Sequence, residues 1–422
     1  MDRSHAEGDD PRESAVAPPA QESDPARLAG LRRNITLYYL YAFFAMFQLW
    51  APIWVLFMLD RGFSLTQVAV LDMTSFVMIA LAEVPTGAVA DRWGRKVSMG
   101  LGAGLLPVSV VIFGLSHSFV MVFVAWIFYS LAYTLTSGAD VAFLYDSLKG
   151  LGQEAEFQKT VGKALGLGQI SLAASAILGG LLGGIDLVIP VFATAVTLLP
   201  ALGVILLFTE PYSEHESRPP YLTNVRATIS LAGRHSQIRY LILYAAVFFA
   251  AMWIVQVFFQ PFLKVRGFPV ETFGVMYMVF TFATVAGAVA GPRLSAALGE
   301  RTSFLVIPIV ATAALAMLGL VQYAVAFVFL LFVNFTYGAG RPLLDEVINR
   351  YTPTEKRATM LSLRSLVSSV VLAPLEPGMG YTADRRGLRS GFFSLAAALI
   401  LPIAIVLALW RRTQRRADAA PV

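Results

Sequence analysis

Long apolar runs, separated by short polar breaks, make up most of this chain. They fall at roughly 34–59, 65–90, 97–115, 118–145, 158–184, 187–208, 237–263, 270–296, 303–321, 323–347, 357–382 and 389–410. Each is near or above the ~20 residues that cover a hydrocarbon core of ~30 Å. Lipid offers no partner to backbone polar groups, so the pattern predicts twelve membrane-crossing helices and an all-α protein. Residues through about Leu28 are polar and rich in Asp, Glu, Pro and Ala. They lack a basic region followed by an apolar core, so 1–33 reads as a disordered tail rather than a signal peptide.

The pattern repeats. With the chain shifted by 205 residues, Tyr39 falls on Tyr244, Phe43-Phe44-Ala45 on Phe248-Phe249-Ala250, and Phe57 on Phe262. Arg61-Gly62-Phe63 falls on Arg266-Gly267-Phe268, Gly94 on Gly299 and Lys96 on Arg301. Apolar similarity alone would not fix a short Arg-Gly-Phe turn and a glycine in one register. The expected architecture is two pseudo-symmetric six-helix bundles, 34–209 and 237–410, related by an axis along the membrane normal. A polar linker, 210–236, joins them and includes Pro219-Pro220; its 223–232 portion is expected to form a short surface helix. A basic tail, 411–422, follows.

Composition narrows the function. Hydrophobic residues make up 57% and charged residues 14%, and the mean hydropathy is +0.67, a composition that argues against a soluble protein of this length. The formal charge of +5 comes from bases in short loops beside apolar spans, which argues for no nucleic-acid partner. Without cysteine there is no thiol chemistry, and four histidines without a carboxylate cluster give no metal site or other cofactor. Neither a nucleophile–base set nor a phosphate loop is visible, so neither an enzyme nor an ATP-driven pump is expected. Arginine and lysine concentrate before span 1, in the 2–3 loop, in the linker and after span 12. The positive-inside rule then puts both termini in the cytoplasm, with Arg385, Arg386 and Arg389 as the exception.

The 2–3 loop carries the most specific motif. Residues 87–96 read Gly-Ala-Val-Ala-Asp-Arg-Trp-Gly-Arg-Lys, which resembles the signature loop of the major facilitator superfamily. The resemblance implies a conformational lock of Gly87, Asp91, Arg92, Gly94, Arg95 and Lys96, with Asp91 at the start of helix 11 and Asp146 as partner of Arg95. The repeat matches Asp91 with Ala296 and Arg95 with Glu300, so an Asp91 lock is expected on one side only. Three shorter segments, Glu83-Val84-Pro85-Thr86-Gly87, Tyr145-Asp146-Ser147-Leu148 and Arg357-Ala358-Thr359 with Leu361-Ser362-Leu363, are similar to bacterial members labelled drug exporters. A multi-pass protein of the bacterial cytoplasmic membrane follows from that likeness. The glycines of span 5 lack the Pro-Gly pair of drug antiporters, which leaves transport direction open.

An ionisable group at membrane depth costs ~2.5–3.5 kcal/mol even on permissive scales, so each needs a partner or a task. Glu83 lies about 12 Å and Arg364 about 10.5 Å along their helices from the loop-side ends, at 1.5 Å per residue. In the superfamily fold helices 2 and 11 face each other, so the resemblance implies a Glu83–Arg364 pair, either a static neutralisation or a gate. Asp140 and Arg341 lie on helices 4 and 10 beside Gly138 and Gly340, and in that fold both face the cavity. Each could contact substrate or carry coupling charge; a structural network with Asp146 is the alternative. Asp72 and Glu376 occupy the outer ends of helices 2 and 11; their approach in low dielectric would suit proton binding, whereas separate watery pockets would not. Pro374 and Pro377 are expected to kink helix 11.

The resemblance makes helices 1, 4, 7 and 10 the cavity wall. They carry Tyr38, Trp50, Trp54, Trp126, Tyr129, Tyr133, Trp253, Gln256, Gln260, Asn334 and Tyr337. About half are expected to reach the cavity, the rest facing lipid or interfacial belts. An aromatic wall with sparse amides favours lipophilic or planar guests. The leading expectation is a monomeric secondary active transporter with a small-molecule substrate and protons as partners, exporting hydrophobic compounds. An importer or facilitator of a polar metabolite, a sugar or organic anion, is the alternative. A receptor or scaffold without transport comes third.

Overall fold

The computed structural model describes residues 24–211, 236–352 and 356–418. The N-terminal bundle holds α1 (Pro25–Ala45), α2 (Trp54–Asp60), α3 (Leu65–Trp93), α4 (Arg95–Leu115), α5 (Phe119–Thr136), α6 (Ala139–Lys149), α7 (Phe157–Ile185) and α8 (Val188–Leu206). The C-terminal bundle holds α9 (Ser236–Val265), α10 (Phe273–Leu298), α11 (Glu300–Leu320), α12 (Phe327–Arg350), α13 (Arg357–Arg386) and α14 (Leu388–Asp418). Among the described residues ten helical stretches are long and apolar enough to cross a membrane. The remaining two of the twelve crossings are α1 with α2, which is interrupted, and α13, which carries Arg364, Glu376, Asp384, Arg385 and Arg386.

Local chemistry moves several expected boundaries. Asp24 accepts the N–H of Ala26 and Pro25 opens α1, an N-cap and first-turn pair that recruits 25–33 from the expected disordered tail. The rest of that tail, and 212–235 of the linker with its proposed surface helix, lie outside the described residues. At the other end α14 continues past 410 into the basic tail. Spans 1 and 4 are each two helices rather than one. The first breaks over 46–53, around Pro52, where the N–H of Trp50 donates to Thr194 Oγ1 at 3.0 Å. The second breaks at Ser137-Gly138, with Gly138 at φ +78°, a conformation glycine adopts without strain. α13, in contrast, runs on through Pro374 and Pro377 as one helix.

The 205-residue repeat holds down to single contacts. Gly62 and Gly267 turn at φ +83° and +78°, and Gly94 and Gly299 at +96° and +78°. Arg61 stacks on Phe57 at 4.2 Å and donates to the Ser116 carbonyl at 2.5 Å. Arg266 stacks on Phe262 at 5.1 Å and donates to the Leu318 carbonyl at 2.8 Å. In both halves the same arginine ties the same turn to the end of the next crossing but one.

The bundles meet through α3 with α13, α7 with α10, and α2 with α9. On the face opposite the signature turn the contact is backbone to backbone. A Cβ on Gly274 would lie 1.9 Å from the Ala176 carbonyl oxygen, one on Gly180 2.7 Å from Gly274 N, and one on Gly380 2.7 Å from the Leu65 oxygen. Small residues are what permit such approach. Asp384 accepts the N–H groups of Leu65 and Thr66, at 2.9 Å each, at the N-terminus of α3. Gln260 Oε1 accepts from the N–H groups of Val55 and Leu56, and its Nε2 donates to the Ala51 carbonyl. This face is sealed. Toward the signature turn, Glu83 and Gly87 of α3 are exposed, and a Cβ at Gly87 would meet nothing within 4 Å.

Candidate functional site

Beneath the seal, α3 and α13 bury two carboxyl groups together. Asp72 and Glu376 lie within each other's electrostatic reach, so the approach envisaged from the sequence is present. Asp72 accepts the indole N–H of Trp253, from α9 in the other bundle, at 2.8 Å. Trp253 in turn packs edge-on against Phe76 at 5.3 Å. Glu376 is fully buried, and neither of its oxygens has an aligned hydrogen-bond partner among the described residues. No cation forms a salt bridge with either carboxyl among the described residues.

At the signature turn, Arg95 and Asp146 are in ion-pair contact at 2.5 Å. Glu210, assigned to the linker by sequence, instead clamps this turn. Its two carboxylate oxygens accept the N–H groups of Arg95 at 2.7 Å and Lys96 at 2.8 Å. Lys96 Nζ donates to the Leu206 and Phe208 carbonyls at the end of α8. Asp91 and Arg92 are exposed in the last turn of α3. The C-terminal bundle has a link of its own at the matching place, where Arg350 pairs with Glu300 at 2.7 Å and Glu346 at 3.0 Å. Ala296 stands where the repeat matches Asp91, so the Asp91 position has no acidic counterpart; the C-terminal link is a different one, an ion pair of reversed polarity built on Glu300.

The proposed Glu83–Arg364 pair is not formed. Arg364 pairs with Asp345 of α12 and lies over the Phe249 ring at 5.1 Å, while Glu83 is exposed on α3. Asp345 lies about one turn past Arg341 on the same helix and reaches the α13 guanidinium from within the bundle, so Arg364 is neutralised without crossing the interface. Arg341 is exposed near Arg364, whose charge it feels. Asp140, in the first turn of α6, accepts the N–H of Val141 at 2.7 Å. Tyr38, Tyr41 and Tyr133 all lie within reach of its charge.

The expected aromatic wall divides. Trp50, Trp54, Trp126 and Tyr129 pack on one another at 5.2–5.9 Å between ring centroids, with Phe113 behind Trp50 and Trp126. Trp50 and Trp126 keep only 5% exposure each; they are core of the N-terminal bundle, held there by the break that turns Trp50 inward. Gln260, fully buried, belongs to the seal. Asn334 is buried too, accepting from Gln256 Nε2 at 2.7 Å and donating to the Leu330 carbonyl. Tyr133 is 50% exposed, and Trp253, Gln256 and Tyr337 are half-buried. These four, with the half-buried Trp54 and Tyr129, remain for a cavity wall, whereas Tyr38 at 5% exposure is buried beside Asp140.

Sequence reasoning missed Glu210, Asp345 and Asp384. Asp345 was findable, because the 205-residue shift places it on Asp140. Glu210 and Asp384 follow no pattern; each is an acidic residue beyond or near a helix end whose target helix lies far along the chain.

The sequence profile of the Major Facilitator Superfamily matches residues 35–374. The uncharacterized MFS-type transporter YxaM of Bacillus subtilis (strain 168) is 22% identical over 368 residues, which span 84% of this chain and 90% of that protein. Among solved structures, a mutant of the nucleoside transporter NupG superposes with a TM-score of 0.77 at 13% identity, covering 89% of this chain and 100% of that one. A bacterial homologue of the iron transporter ferroportin in an inward-facing state gives 0.71 at 16% identity, covering 90% and 98%. At these identities the structural likeness is one of fold.

Proposed function

From the premise that this chain belongs to the major facilitator superfamily and is a multi-pass membrane transporter, we propose that it is a proton-coupled exporter of hydrophobic small molecules working by alternating access. The observation that carries the coupling is the Asp72–Glu376 couple in the seam between bundles. Burying two carboxylates together without a cation is costly, so sealing the outer face takes up a proton from outside, and loss of that proton to the cytoplasmic side frees the halves to reopen outward. The Trp253 indole, donating to Asp72 from the opposite bundle, ties that event to the relative position of the halves. Both termini and the signature turn are assigned to the cytoplasm by the arginine distribution, so the sealed face is the outer one. Asp91 and the Arg95–Asp146 link act as the lock on the inner side. The chain works as a monomer, since one chain holds both bundles.

Hydrophobic cargo is supported by Tyr133, Tyr337 and Trp253, which leave aromatic surface available. A second reading, transport of an anionic metabolite, is favoured by one observation: Arg341 is exposed on α12, a cavity helix of this fold. Proteoliposomes with an imposed pH gradient separate the two. Lumenal pH should respond to added lipophilic compounds in the wild type and not in Glu376→Gln. A response to organic anions or sugars alone would replace export of hydrophobic compounds with the second reading.

A further inference from the structure

Asp140 and Asp345 hold the same place in the repeat, yet only one is neutralised. Asp345 has the guanidinium of Arg364. Asp140 makes no ion pair among the described residues and is satisfied only by backbone N–H groups at the start of α6. It is half-buried at the break in the fourth crossing, where the chain turns at Gly138. Around it stand three tyrosines, Tyr38 and Tyr41 from α1 and Tyr133 from α5. Tyr38 and Tyr41 are buried, their rings tilted at 49° with centroids 5.8 Å apart, whereas Tyr133 is half exposed and keeps a way in. A carboxylate without a cation at membrane depth, beside phenol rings with negative π-faces, is complementary to a cationic group.

We infer that Asp140 with Tyr38, Tyr41 and Tyr133 forms the subsite for an ammonium group, protonated or quaternary, on the transported compound. The inference rests on the reading of this chain as an exporter of hydrophobic molecules and names their charged end: an apolar body carrying one positive nitrogen. The carboxylate supplies charge and Tyr133 supplies the ring the cation enters past. Arg341, on the opposite bundle, repels a second cation and keeps the ammonium on the Asp140 side.

The test is equilibrium binding to the purified full chain in lipid nanodiscs, without any gradient. Benzyltrimethylammonium is the probe, and benzenesulfonate is the anion of similar size. The wild type should bind the cation and not the sulfonate. Asp140→Asn keeps an acceptor for the Val141 N–H and should lower cation affinity about tenfold or more, while Asp140→Glu retains it. Tyr133→Leu should weaken binding several-fold and Tyr133→Phe should not, since the ring face is what the cation uses. Unchanged affinity in a monodisperse Asp140→Asn, equal binding of the sulfonate, or no cation binding by the wild type would each overturn the inference. Glu376→Gln should bind the probe like the wild type; cation binding that survives alongside unaltered proton flux in that variant would sink the coupling scheme and leave the subsite standing.

Discussion

Two ion pairs occupy matching places at the signature-turn face, and they are built on opposite electrostatics. In the C-terminal bundle Glu300 opens α11 and Arg350 closes α12. Each charge sits where the helix dipole favours it, negative at an N-terminus and positive at a C-terminus. In the N-terminal bundle Arg95 opens α4 and Asp146 lies in the last turn of α6, so both charges oppose their dipoles. Glu210 offsets this by placing a carboxylate on the first two N–H groups of α4. The N-terminal pair is also the more enclosed, with side chains 19% and 11% exposed against 52% and 31% for Arg350 and Glu300. The difference teaches that the signature sequence marks a link held against local preference by a third residue at the mouth of the linker. Its counterpart is an ordinary surface pair.

The comparison breaks most sharply at the matched aspartates of α6 and α12. Asp345→Asn leaves the Arg364 guanidinium without its anion and should cost about 2–3 kcal/mol, below the ~3–5 of a fully buried pair because Asp345 is partly exposed. The matched Asp140→Asn breaks no ion pair and should cost under about 0.5 kcal/mol. Thermal unfolding of the two variants in one detergent measures both; equal losses would mean that Asp140 has a structural partner of the same weight. Next in size is Glu210→Gln. It removes the charge that stabilises the start of α4 and should cost about 0.5–1 kcal/mol, with proteolysis at the signature turn rising in step. The smallest effect belongs to Glu300→Gln, which should leave the melting temperature unchanged because the pair is solvated. A loss matching that of Glu210→Gln would erase the asymmetry.

Much of this was legible along the chain. Twelve apolar spans, the 205-residue repeat and the two glycine turns are one-dimensional signals, because membrane thickness fixes span length and a positive φ demands glycine. The contact of Arg95 with Asp146 was what the family resemblance implied, and the proximity of Asp72 to Glu376 was one of the two readings left open for charges at the outer ends of helices 2 and 11. The breaks at 46–53 and 137–138 were not legible, since hydropathy runs on through both. Nor was the partner of Arg364: depth alone cannot distinguish Glu83 across the interface from Asp345 within the bundle. The aromatic residues failed for a related reason. Trp126 sits on a helix with two apolar faces and Trp50 in the break between α1 and α2, so what becomes core depends on a bend the sequence does not announce.

The central claim, that proton uptake at Asp72 and Glu376 accompanies sealing of the outer face, is tested most directly by a distance. The chain has no cysteine, so His117→Cys and Tyr323→Cys place spin labels only where wanted, one on each bundle at exposed positions of the sealed face. Pulsed electron–electron spectroscopy across a pH series should give a short distance at acid pH and a growing long-distance population as pH rises. Asp72→Asn combined with Glu376→Gln should hold the short distance at every pH. The same pH response with and without the two carboxyls would contradict the account.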